Sequence, residues 1–142
     1  MQNEAAYSLL IKVILTKRDS NILIGELDVL KNSLFKTDSN AFEVVLKEEV
    51  RKKVADVIEF YISKGADKKV LIEFLDSKFR KVPTLDLTIA FDPTGAILER
   101  MSKWVRENVG EVLLDLKIDR SIVCGAIVSF GGKYNEQIPR IS

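Results

Sequence analysis

Two periodicities divide this chain. From Ala5 to Lys81, apolar residues recur every three or four positions, the spacing that lines one face of a helix. Leu10, Val13, Ile14 and Lys17 share a face of a first helix, which the pattern carries to Arg18. Asp19 and Ser20 suit the cap of a second, in which Leu23, Leu27, Leu30 and Leu34 recur. Thr37, Asp38 and Ser39 form a polar break. A third helix then carries one long stripe, Phe42, Leu46, Val50, Val54, Val57, Ile58, Tyr61 and Ile62, with Gly65 as its C-cap. Asp67 opens a fourth helix that displays Val70, Leu71, Phe74, Leu75 and Phe79. Four amphipathic helices with short connections predict an antiparallel helical bundle over residues 1–82.

Pro83 ends that regime, because its ring disfavours helical geometry at Val82 and removes a backbone donor. The period then becomes two. Leu85, Leu87, Ile89 and Phe91 alternate with Asp86, Thr88 and Ala90, a strand with one buried face. Asp92-Pro93 offers an N-cap with proline at the first helical position. Ile97, Leu98, Met101, Trp104, Val105 and Val109 make the stripe of the helix that follows, and Gly110 closes it. Val112, Leu114, Leu116 and Ile118 alternate again. After a polar Asp119-Arg120-Ser121 turn, Ile122 to Phe130 reads as a central apolar strand, and Gly131-Gly132 as a turn. The fold class is therefore α+β: a helical bundle followed by a small β-α-β-β domain over residues 83–142.

Composition narrows the chemistry. The 142 residues contain no histidine and one cysteine, Cys124, with 22 basic against 21 acidic side chains. Ser-His-Asp and Cys-His catalysis, a His-ligated metal, an intrachain disulfide and a Cys-x-x-Cys motif are all excluded. The near-neutral charge argues against a dedicated nucleic-acid binder. No apolar run approaches the roughly 20 residues of a spanning helix, and the polar start from Met1 to Tyr7 does not resemble a signal peptide, so a cytoplasmic location is expected.

Little in the sequence forms a catalytic or cofactor constellation. Neither nucleotide-binding glycine motif is present, and Gly131-Gly132-Lys133 follows a strand without opening a readable helix, as a hairpin turn does. Glu48 and Glu49 beside Arg51, Lys52 and Lys53 read as a solvated helix face with i,i+4 pairing. Asp115 and Lys117 fall on the polar side of a strand. Cys124, set among Val and Ile, reads as a structural thiol, and Trp104 as core. No cofactor, metal site or catalytic residue is expected. What the helices do offer is spare apolar surface: Tyr7, Leu9 and Ile11 lie partly off the stripe of the first helix, and Ile22 and Ile24 off that of the second. Such faces suit either a partner helix or tighter self-packing and dimerisation.

The run from Leu113 to Val128 resembles the C-terminal signature of the F-type ATP synthase delta subunit, the oligomycin-sensitivity-conferring protein family. Asp119, Ser121, Ile122 and Gly125 match that signature, and Gly132-Lys133-Tyr134 resembles its following turn. The helix with Trp104 and Glu107-Asn108-Val109-Gly110 fits the family's order, and Ala6-Tyr7-Ser8-Leu9-Leu10 resembles its first-helix start. Arg120 stands where proline is usual and Cys124 replaces the first glycine of a pair, so the resemblance is to a divergent and shortened member. It implies a non-catalytic stator role. The N-terminal bundle would receive the alpha-subunit N-termini, and the C-terminal domain the b subunits of the peripheral stalk. The protein would then lie at the cytoplasmic side of the membrane, reaching it only through the complex. Two other readings stand beside it. One is the stalk E subunit of the vacuolar and archaeal relatives. The other is a small ligand-sensing or RNA-associated α/β domain, disfavoured for RNA because Gly-x-x-Gly is absent and Phe91 and Phe130 lie at strand ends.

Overall fold

A computed structural model describes residues 2–36, 40–121, 126–130 and 133–135, the last two segments as backbone only. It is an α+β fold that divides into two compact units. One comprises residues 1–14 and 20–81, the other residues 15–19 and 82–142.

The first unit is helical. Its elements are α1 (Gln2–Val13), α2 (Lys17–Ser33, whose first turn belongs to the second unit), α3 (Ala41–Glu48), α4 (Lys52–Ser63) and α5 (Lys68–Lys81). Leu10, Ile14, Leu23, Leu27, Leu30, Val54, Ile58, Leu71, Ile72, Leu75 and Phe79 are fully buried. Three boundaries differ from the periodicity. The first helix stops at Val13 rather than Arg18, and Thr16 Oγ1, accepting the Asp19 N–H at 3.0 Å, starts α2. Ser20, expected at the cap, lies inside the helix with its hydroxyl buried and unpartnered among the described residues.

The expected third helix is two. Arg51 leaves helical geometry (φ −57°, ψ 144°) between α3 and α4. The cause sits on α2. Glu26, only 7% exposed, accepts the Arg51 backbone N–H on Oε2, and Nε at 3.0 Å and Nη2 at 2.9 Å on Oε1. A carboxylate this buried requires such partners, and they are found where the backbone departs from the helix. Arg51 therefore does not belong to the solvated i,i+4 face expected around Glu48 and Glu49.

The α4–α5 corner follows the expected chemistry. Gly65 takes φ +100°, its N–H reaches Ile62 O at 3.0 Å, and the Ala66 N–H reaches Tyr61 O at 3.0 Å. Those two bonds are the paired closure of a Schellman C-cap. Asp67 Oδ1 then accepts the Val70 N–H at 3.0 Å, capping α5 as anticipated.

In the second unit, β1 (Thr84–Ile89), α6 (Gly95–Asn108) and β2 (Leu113–Ile118) form a β-α-β unit whose strands are parallel. β3 (Ala126–Phe130) pairs antiparallel with β1, and β4 (Lys133–Asn135) antiparallel with β3, giving the order β2-β1-β3-β4. The short β4 is a strand that the sequence pattern did not assign. β3 is interior to the sheet, as its apolar run suggested. Beyond β2, the Leu114 N–H donates to Leu15 O at 3.0 Å, so the stretch between α1 and α2 borders the sheet.

Leu85, Leu87 and Ile89 on β1 pack with Leu114 on β2, Val112 before it, and Met101 and Val105 on α6. Three details depart from expectation. Thr94, not Asp92, caps α6, its Oγ1 accepting the Ile97 N–H at 3.4 Å. Trp104 is 39% exposed rather than core. β2 alternates only loosely, since Leu113 and Leu114 are both buried while Ile118 is 45% exposed. The Gly131-Gly132 turn and Cys124 lie outside the described residues.

Candidate functional site

The five helix positions singled out for partner binding separate into two groups. Tyr7 and Ile11 are on the buried face of α1, not beside it. Tyr7 packs against Phe79 of α5 with ring centroids 5.1 Å apart and planes tilted by 60°, a favourable aromatic geometry. Lys78 Nζ lies 5.1 Å from the centre of the Tyr7 ring and 3.9 Å from Glu4 Oε1, closing the edge of that contact. Both residues therefore build the helical core. The apolar stripe of α1 is Ala6, Tyr7, Leu10, Ile11 and Ile14, and Val13, expected on it, is 43% exposed.

Leu9 and Ile22 are exposed and Ile24 is half-buried. Leu9 and Val13 are four apart on α1, and Ile22 and Val29 seven apart on α2, so each pair lies along one side of its helix. These are apolar surfaces of the kind a partner helix covers. Periodicity missed others: Phe35, Val44, Phe60 and Val70 are all exposed. Val70 falls on the stripe that the spacing predicts for α5, yet it is 53% exposed. Nothing in its spacing from Leu71 and Phe74 separates core from surface in a short helix.

Charge ties these helices together. Lys31 Nζ on α2 lies 3.4 Å from Asp76 Oδ2 on α5, and Arg80 Nε reaches the other oxygen of Asp76 at 3.0 Å. Arg80 also lies 3.6 Å from Asp28 on α2. Lys68 at the start of α5 meets Glu43 of α3 at 2.6 Å, and this hydrogen bond holds the Glu43 carboxyl below its usual range.

In the second unit, the signature residues that can be described are Asp119 and Ser121, just beyond β2. Asp119 Oδ1 accepts the Ser121 hydroxyl at 2.6 Å and the Ser121 backbone N–H at 3.0 Å. Both bonds favour the charged form and keep the Asp119 carboxyl below its ordinary range, the hydroxyl bond contributing most. The Asp119 N–H donates to Ile89 O at 2.8 Å, so the turn is fastened to the end of β1. A carboxylate engaged in this way orders a loop. Ile122, Gly125 and Gly132 lie outside the described residues. On the polar side of β2, Lys117 is exposed and Asp115 half-buried.

Among the described residues, no group of three or more Cys, Asp or Glu is placed to hold a metal ion. Among the described residues, no helix is long and apolar enough to cross a membrane. No protein-family model matches the chain, and no curated protein is significantly similar to it. What can be stated is a class: an α+β protein with a helical N-terminal part, followed by two parallel strands joined through a helix.

Proposed function

We propose that this protein is a non-catalytic stator subunit of a rotary F-type ATP synthase, a divergent relative of the delta subunit. In this reading the N-terminal helices form an antiparallel bundle that takes the alpha-subunit N-termini, and the β-α-β-β domain takes the b subunits. The protein is then peripheral, at the cytoplasmic side of the membrane, held there by the complex.

The observation that carries the reading is the Asp119–Ser121 turn. The two signature residues that can be described hydrogen-bond each other at the exit of a strand, which gives their occurrence at this spacing a structural reason. The exposed Leu9 and Ile22 are compatible with helix docking. The breaks at Thr16 and after Ser33 weigh against the long uninterrupted helix of a vacuolar-type stalk E subunit.

The test is affinity purification of the tagged protein from membranes of its own cells. Recovery of alpha, beta and b subunits in constant proportion is expected. Recovery without them ends the stator reading. A titration with a peptide copying the alpha-subunit N-terminus of the same organism is the second check, and absence of binding at high micromolar peptide counts against the bundle's assigned role.

A further inference from the structure

The residues between α1 and α2 are held at both ends by one unit while they themselves belong to the other. Ile14 and Ser20 are part of the helical unit and fully buried, whereas Leu15 to Asp19 are part of the second unit. The backbone of this strip runs parallel to the start of β2, Thr16 bridging Leu114, and Leu15 O accepts the Leu114 N–H at 3.0 Å. Thr16 then turns the chain into α2, its Oγ1 accepting the Asp19 N–H at 3.0 Å. Adjacent amides of β2 therefore report opposite borders of the strand. Leu114 donates outward to the strip. Leu113 donates inward to Pro83 O at 2.9 Å, and at the far end Asp119 donates to Ile89 O at 2.8 Å.

The placement of the strip's ends decides whether it stays on β2. With α1 and α2 packed, Ile14 and Ser20 fix both ends of a short span, so Leu15 and Thr16 lose little freedom on meeting the strand. With the helical unit open, the same contact closes a loop of more than sixty residues, from Asp19 to Val82. The entropy lost in that closure exceeds the net return of one backbone hydrogen bond. The pairing of β1 with β2 has no such dependence. Those strands are joined through α6 inside the second unit, and Leu85, Leu87 and Leu114 share a core with Met101 and Val105 of that helix.

We propose that Leu15–Asp19 is a strap through which the helical unit sets whether the outer border of β2 is closed. Packing of α1 and α2 closes it. Loosening them releases the Leu114 N–H to water while the inner border stays paired. A molecule that binds and tightens the helical unit therefore shields Leu114 as well, without touching the sheet. This goes beyond the stator reading and does not depend on it.

Native-state hydrogen exchange, followed by NMR on the full-length protein, reads these amides one by one. Ile58 is fully buried on α4, outside both the strip and the sheet, and serves to weaken the helical unit. Ile58→Val should speed exchange of the Leu114 N–H about fivefold. The Ile14 N–H, which bonds Leu10 O at 2.9 Å, should accelerate by the same factor, and Leu113 and Asp119 should not move. Ile58→Ala should widen the same contrast to about a hundredfold; should it fail to fold, the valine variant decides. Acceleration of Leu113 and Asp119 together with Leu114 overturns the proposal, because the two units would then open as one. Leu114 exchange that does not follow Ile14 overturns it too, because the strip would then hold to β2 without the helices.

Discussion

Glu26 holds Arg51 by its side chain and its backbone at once, across twenty-five residues of sequence, at the point where one predicted helix becomes two. With Glu26 almost fully buried and Arg51 partly so, removing either partner leaves the other poorly solvated. Glu26→Ala should lower stability by about 2–3 kcal/mol. Glu26→Gln, which keeps an acceptor for the backbone N–H, should cost less. Urea unfolding followed by circular dichroism measures both, and a loss for Glu26→Ala indistinguishable from zero would mark the contact as incidental.

Two glycines should respond in opposite directions to the same substitution. Gly65 sits at φ +100° with open space where a Cβ would go, so Gly65→Ala carries backbone strain alone, about 1–2 kcal/mol. Gly25 lies within α2, also with nothing near its Cβ position and no positive φ. Gly25→Ala should therefore stabilise by about 0.5–1 kcal/mol through a less disordered unfolded chain. Thermal melts of the two variants should bracket the wild type.

Phe79 is fully buried against Tyr7. Phe79→Ala should destabilise by about 3–5 kcal/mol, a lost transfer term plus the cavity left behind. Phe79→Leu should cost clearly less. Equal losses for the two would mean that the site collapses around whatever replaces the ring.

The Asp119 carboxyl should titrate below the unperturbed value of about 3.9. Ser121→Ala should move its midpoint back up. A depressed folded pKa means that the favourable contribution is present above the unfolded value and is lost as pH falls through the folded one. Glu43 should behave likewise, with Lys68→Ala raising its midpoint toward the ordinary one, since the Lys68 hydrogen bond is the largest cause of its depression. Carboxyl-carbon chemical shifts recorded against pH read both groups, and midpoints unmoved by either substitution would deny these hydrogen bonds in solution.

Trp104 is the single tryptophan and is 39% exposed. Its native emission should already be quenched efficiently by acrylamide, with a modest red shift on unfolding. A blue emission shielded from quencher would return it to the core, where periodicity had put it.

Most elements, and the order in which they occur, were legible because helix and strand spacing differ so plainly on either side of Pro83. What escaped was what depends on distant partners. The stripe from Phe42 to Ile62 is continuous in apolar content, and only a carboxylate on another helix marks its break. Thr16 and Thr94 outrank Asp19 and Asp92 as caps because the threonine hydroxyls are the ones within reach of the helix amides. A stripe drawn through Val13 and Lys17 is rotated from the one that packs, and against it Tyr7 and Ile11 look like spare surface although both are buried. The same rotation put Val13 inside. For the candidate site, the Asp119–Ser121 pairing was legible as a motif, whereas the open surface where Leu34 and Phe35 meet residues 65–69 joins segments some thirty residues apart and had no signal in either alone.

The strip of chain between α1 and α2 settles where this protein can be divided. Leu15 to Asp19 belong to the sheet-bearing unit, although most of that unit begins at Val82. No single cut isolates it. A fragment starting at Val82 would lack the Leu15 carbonyl that meets the Leu114 N–H and would leave that border of β2 bare, free to pair with a second fragment. During synthesis the same five residues emerge first and wait more than sixty positions for the strands they border. The sheet's border strip is thus written into the chain long before the sheet exists.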